Sequence, residues 1–101
     1  MIARLWRGRA GTPKDADAYQ RHVTSRVLPE LKGIPGHRSA QVLRRGEEFL
    51  VITFWESMDA IHAFAGPDVE KAVYYPDDAE YLLEMEPGVA HYEALVSPDE
   101  R

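Results

Sequence analysis

The order of hydrophobic patterns predicts an α+β domain, β-α-β-β-α-β in chain order. Two observations carry this. Ile2–Arg9, His37–Arg44, Glu47–Glu56 and Val89–Val96 alternate with period two and are rich in β-branched and aromatic residues. Between the first two of these strands, Tyr19, Val23, Val27 and Leu31 recur every fourth residue, a single helical stripe. Such a chain closes most simply as a ferredoxin-like β-α-β-β-α-β sandwich, a four-stranded antiparallel sheet with both helices on one face.

Each element has its own signals. In "GTPKDADAYQRH", Thr12 is placed to cap the first helix, Pro13 suits its first turn, and Asp15 and Asp17 suit its positive end. Pro29 bends that helix or ends it early, and Gly33, Pro35 and Gly36 close the segment. "RRGE" reads as a tight hairpin turn at Gly46. Ser57 caps "MDAIHAFAG", with Asp59 in the first turn and Gly66 as the stop. "PDVEKAVYYP" and "DDAEYLLEME" predict a short helix, a break at Pro76 and a further helical turn or two. "VYYPDD" is a candidate lip over a cavity mouth, or a plain loop. Repeats, low-complexity tracts and linkers are absent, so residues 1–101 read as one domain.

Composition narrows the function classes. Residues 1–46 hold ten Lys/Arg and three Asp/Glu, and residues 47–101 hold two and fourteen, for a net charge of −5. An acidic chain of this kind is not expected to bind nucleic acid, which needs clustered cations. The opposed halves fit two parts that meet in the fold or in a dimer. No apolar run is long enough for a membrane span, and the arginine-interrupted N-terminus lacks a signal-peptide pattern, so a cytoplasmic location is expected. Cysteine is absent, and the four histidines are scattered, so no metal site is expected. Catalytic motifs such as H-E-x-x-H, G-x-S-x-G and the phosphate loop are missing.

Alternation assigns the strand faces. The aliphatic sets (Ala3 and Leu5; Ala40 and Val42; Leu50, Ile52 and Phe54; Tyr92 and Ala94) are placed under the helices. The opposite face then collects Arg4, Trp6, Ser39, Gln41, Val51, Thr53, Trp55, His91 and Glu93. An exposed face with two tryptophans predicts a cover, and a second copy packed sheet against sheet supplies one. The homodimer would enclose a half-polar cavity. There His91, oriented by Glu93, is a candidate base, and Arg4 a candidate stabiliser of an anionic oxygen. Trp6, Trp55, Gln41, Thr53 and Ser39 are candidate substrate contacts, with the two indoles stacking on a small aromatic molecule. The same residues also fit a structural role: a His91–Glu93–Arg4 pair network and dimer-core tryptophans.

"MIARLWRGR", "PELKGIPGHRSAQVLRR" and "FLVITFWESMDAIHAFAGPDVEKAV" together resemble the antibiotic biosynthesis monooxygenase (ABM) superfamily of dimeric α/β-barrel proteins, over nearly the whole chain to about Val96. The resemblance implies a cofactor-independent monooxygenase-like enzyme acting on a small aromatic or polyphenolic compound. It equally covers a non-catalytic ligand-binding or stress-response dimer, and an isomerase- or cyclase-type reaction on the same fold. The haem-degrading branch uses an asparagine on the first strand, a tryptophan in the second helix and a histidine just after it. Here those positions hold Trp6 or Arg7, Phe64 and Tyr74, so no cofactor is expected.

Overall fold

A computed structural model of the chain describes residues 1–73 and 78–96. Strand β1 (Ile2–Arg9) is followed by α1 (Pro13–His22), a π-helical segment (Val23–Val27) and α2 (Leu28–Leu31). Strands β2 (His37–Arg45) and β3 (Glu48–Trp55) form the hairpin, and α3 (Met58–Ala65), α4 (Asp78–Tyr81), β4 (Glu84–Met85) and β5 (Ala90–Glu93) complete the chain.

The sheet is antiparallel in the order β2-β3-β1-β4, with β5 also on β1. β5, a shorter form of the last strand expected from the sequence, lies against Ile2–Leu5, and β4, in a stretch expected to be helical, lies against Gly8–Arg9, so the two short strands share one edge of β1. Between them the chain turns aside. Lys71 bridges to Gly88, Val89 N–H donates to Glu70 O, and Ala72 N–H donates to Pro87 O. This pairing explains why residues 67–73 are turn and bridge rather than the predicted short helix. Their backbone groups are engaged by the neighbouring chain and by Arg4, and a helix would need those groups itself.

The long helix forms as expected, with the Thr12 hydroxyl accepting from Asp15 N–H and Pro13 in the first turn. Its π segment has two sequence causes. Pro29 has no N–H to give to the carbonyl one turn back. The Thr24 and Ser25 hydroxyls donate to Gln20 O and Arg21 O, competing for helical acceptors. The wider turn also serves the packing. A strict every-fourth stripe drifts by about 40° per step around an α-helix, and one π turn takes up that drift. Tyr19, Val23, Val27 and Leu31 are all buried.

These side chains pack with Ala10, Ala16, Phe49 and Leu82, flanked by Trp6, Val42 and Phe64. The core therefore lies on the sheet face of Trp6, Val42, Phe49 and Trp55, which reverses the predicted assignment for β1, β3 and β5 and keeps Ala40 and Val42 under the helices as expected. The strand registers fix the sets: Arg4 pairs with Thr53 and His91, Trp6 with Val51, and Ile2 with Trp55 and Glu93. All of these face the helices. The opposite set (Ala3, Leu5, Leu43, Leu50, Ile52, Phe54 and Tyr92) stays outside the buried core, with Leu43 and Tyr92 48% and 58% exposed. Ala40 and Val42 pair with Thr53 and Val51, so they join the helix side, whereas Ser39 and Gln41 fall on the open side. A bulge between His37 and Ser39 adds a further shift.

Gly8 permits a close approach. A Cβ there would stand 2.5 Å from the Trp6 ring, which lies back along β1. Of the surface ion pairs, Arg9–Glu84, Arg38–Glu56 and Arg45–Glu48 join the basic half to the acidic half. Exposed pairs of this kind contribute little to stability.

Candidate functional site

Between sheet and helices lies a cavity of about 80 Å³. Its floor is Arg4 and Trp6 from β1, Val51 and Thr53 from β3, and Val89. Tyr19, Val23, Val27 and Leu31 roof it, Phe64 of α3 closes one side, and Ala72, Val73 and Asp78 border it. Among the described residues the lining is mainly apolar, with one cation, Arg4, and one carboxylate, Asp78.

Arg4 is 5% exposed. Its Nη1 donates to Val69 O at 2.6 Å and to His91 Nε2 at 3.0 Å, and Nη2 donates to Lys71 O at 2.9 Å. Its guanidinium also sits 5.9 Å over the Phe64 ring. Burial lowers its pKa, but an arginine remains charged in a protein. Because a guanidinium only donates, His91 Nε2 must accept, and the imidazole is neutral with its proton on Nδ1. Burial, and then the Arg4 charge, push the His91 pKa below the ordinary 6.5, with Glu70 pulling the other way.

The sequence-predicted site residues thus divide. Arg4, Trp6 and Thr53 line the cavity, on the helix side of the sheet rather than between two sheets. His91 joins Arg4, but the lone pair expected to act as base is held by the guanidinium. Glu93 shares the face but is exposed, and Arg4 and Glu70, not Glu93, act on the His91 charge. Trp55 is fully buried, stacked on Phe64 at 5.0 Å and edge-on to His37 at 5.2 Å, so it has no free face for a ligand. Its Nε1 donates to Thr53 Oγ1 at 2.9 Å, and Thr53 Oγ1 lies 3.5 Å from Arg4 O. Ser39 and Gln41 are remote, on the open face. Tyr74 and most of the "VYYPDD" stretch lie outside the described residues.

Sequence reasoning missed His22 and Asp78. His22 Nε2 donates to Asp78 Oδ1 at 3.2 Å, with both side chains at 9% exposure or less. The fourth-residue stripe carried a usable hint, because His22 follows Tyr19 by three residues and so shares its buried side.

A second, larger hollow of about 580 Å³ opens at the hairpin end of the sheet, among Arg7, Arg9, Arg45, Glu48 and Glu84. Its arginines are largely matched by carboxylates: Arg9 to Glu84, Arg45 to Glu48 and Arg44 to Asp17. We therefore regard the cavity between sheet and helices as the site.

The two partly buried histidines give the protein an acid-sensitive window. His37 is also held below 6.5 by burial. A histidine with a depressed folded pKa binds fewer protons folded than unfolded, so stability is full above 6.5 and falls as the pH drops through the folded pKa. The melting temperature should therefore decline between pH 7.5 and 5.5, above the range where Glu84, held below its ordinary 4.5 by Arg9, takes up its proton. His91→Gln keeps an acceptor for Arg4 and should flatten that decline. An equal slope in the variant would show that His91 does not contribute.

An antiparallel sheet backed on one face by helices, with a small charged-and-apolar cavity between the layers, defines an α+β sandwich. The family model for antibiotic biosynthesis monooxygenases matches residues 9–74, and the chain belongs to that family. Among solved structures, Rv0793 from Mycobacterium tuberculosis matches at 18% identity over 97% of this chain and 98% of its own, with a TM-score of 0.67. The haem degrader MhuD of Mycobacterium tuberculosis, solved with two haems in its active site, matches at 17% identity, 96% and 98% coverage and a TM-score of 0.60. SnoaB, a cofactor-independent oxygenase from Streptomyces nogalater, matches at 18% identity, 98% and 97% coverage and 0.61. At these identities the structures share the fold. No curated protein matches the chain in sequence. No helix among the described residues is long and apolar enough to cross a membrane.

Proposed function

We propose that the chain is a cofactor-independent, monooxygenase-like enzyme that oxidises a small aromatic or polyphenolic compound in the cavity between sheet and helices. The observation that carries this is the placement of the Arg4 guanidinium in an apolar, ring-bordered pocket that Trp6 and Thr53 share. A fixed cation in a dry site stabilises a developing enolate or phenolate far better than water does. Loss of a proton makes the ring electron-rich enough to pass an electron to dioxygen. Recombination gives a peroxide, which loses water to leave a carbonyl. One oxygen atom enters the product and the other leaves as water with two substrate hydrogens.

Family membership and the likeness of fold to SnoaB support this reading. A second copy, packed on the open face of Leu5, Leu50, Ile52 and Phe54, completes the assembly, because an apolar sheet face of this extent calls for a cover. Oxygen uptake with anthrones and quinols, without added metal or flavin, tests the chemistry, and light scattering tests the dimer. No uptake with any substrate that quenches Trp6 emission would overturn the oxygenase reading. A mass of one chain at micromolar concentration would overturn the dimer.

A further inference from the structure

We propose that Asp78, positioned by His22, is the proton acceptor of this cavity. The inference rests on the reading of the cavity as the reaction site and names its base.

Asp78 is the carboxylate among the described lining residues, which include Val23, Val27, Leu31 and Phe64. A carboxylate is costly in such a place unless hydrogen-bonded. His22 supplies a bond from Nε2, and its ring is fixed by Tyr81 at 5.2 Å and Tyr19 at 6.2 Å. Tyr19 also lines the cavity, and burial followed by the Asp78 charge raises its pKa strongly, so the phenol stays a neutral donor. A carboxylate has about four lone-pair sites, so the hydrogen bond from His22 does not exclude a further partner. A second negative charge entering the cavity would be repelled, whereas a weakly acidic hydroxyl or activated methylene can give up its proton there. The transfer is balanced: the ligand loses H⁺ to Asp78, and the electron pair left behind delocalises onto the ligand oxygen, on the side of Arg4 and Thr53.

The alternative is a pin that only fastens α4 to α1. Mixing the protein with 1,8-dihydroxyanthrone under nitrogen separates the two, because the anthrone anion absorbs in the visible and its formation needs no oxygen. Wild type should quench Trp6 emission and develop the anion band. Asp78→Asn should still quench but lose the band by roughly 10²-fold or more, the usual worth of a positioned base. His22→Leu should lower the band per bound ligand at least tenfold, and His22→Gln, which retains a donor, should restore most of it. A pin alone would lower the melting temperature in these variants and leave the band per bound ligand unchanged, which overturns the proposal, as does a bound wild-type complex without a band. Should Asp78→Asn fail to fold, the His22 pair carries the same decision. A band under nitrogen without oxygen uptake in air sinks the oxygenase reading and leaves the base standing, whereas no quenching at all ends both.

Discussion

Arg4→Ala is expected to be among the most damaging single substitutions in the chain. It leaves the Val69 and Lys71 carbonyls without their donor and removes the partner of His91. These bonds are part-buried, so each acceptor left unmatched costs about 1 kcal/mol, and the total is on the order of 3 kcal/mol, a large share of the roughly 5–15 kcal/mol that holds a domain together. For a chain of this size that corresponds to a fall of roughly 12–24 °C in melting temperature. The damage should be local in origin. Residues 69–72 are tied to the body through Arg4 and through the bonds to Pro87–Val89, so hydrogen exchange in Val69–Ala72 should rise first. Arg4→Lys keeps the charge but cannot span three acceptors with one ammonium, and should recover only part of the loss. Thermal melts of both variants would check this. A loss below about 1 kcal/mol in Arg4→Ala would mean that the guanidinium is not the tie described.

Trp55→Ala should be comparably severe. The indole is fully buried between Phe64 and His37 and donates to Thr53, so truncation opens a large cavity beside α3. Such changes cost about 3–5 kcal/mol. Trp55→Phe fills most of the space and forfeits the Nε1 bond, for about 1–2 kcal/mol. Since Trp55 does not line the cavity, Trp55→Phe should leave aromatic-ligand affinity unchanged and increase the fraction of emission that the ligand quenches, because Trp6 is then the remaining tryptophan. Fluorescence titration decides the point. Weakened binding in Trp55→Phe at intact stability would return the indole to the ligand.

Within β1, β3 and β5, residues of one parity do share a face, and the sequence showed that Arg4, Trp6, Val51, Thr53 and Trp55 keep company with His91. Alternation is silent on which of two apolar faces the helices cover. The more aliphatic set, Leu50, Ile52 and Phe54, was the natural choice for the core, yet the aromatic set is the one buried. One error was avoidable. A two-residue loop at Gly46–Glu47, with Gly46 at φ 61°, forces Val42 opposite Val51, and that register alone puts Val42 on the tryptophan side. The bulge at Ser39 has no comparable marker. The His22–Asp78 pair spans 56 positions and depends on α4 docking against α1, which no local pattern encodes.

The cavity's small volume has a kinetic consequence. An engineered void of about 150 Å³ takes up benzene, and this one holds about 80 Å³. On the proposed reading a ring that fills the site spreads the valine-lined walls, and the binding-competent form is then a minor conformer of the free protein. Observed affinity is then the intrinsic affinity scaled by that conformer's population, and the association rate should level off at high ligand concentration, where wall opening rather than encounter sets the pace. Tight packing around Val23 and Val27 and rapid capture of a substrate are therefore opposed demands on the same few side chains.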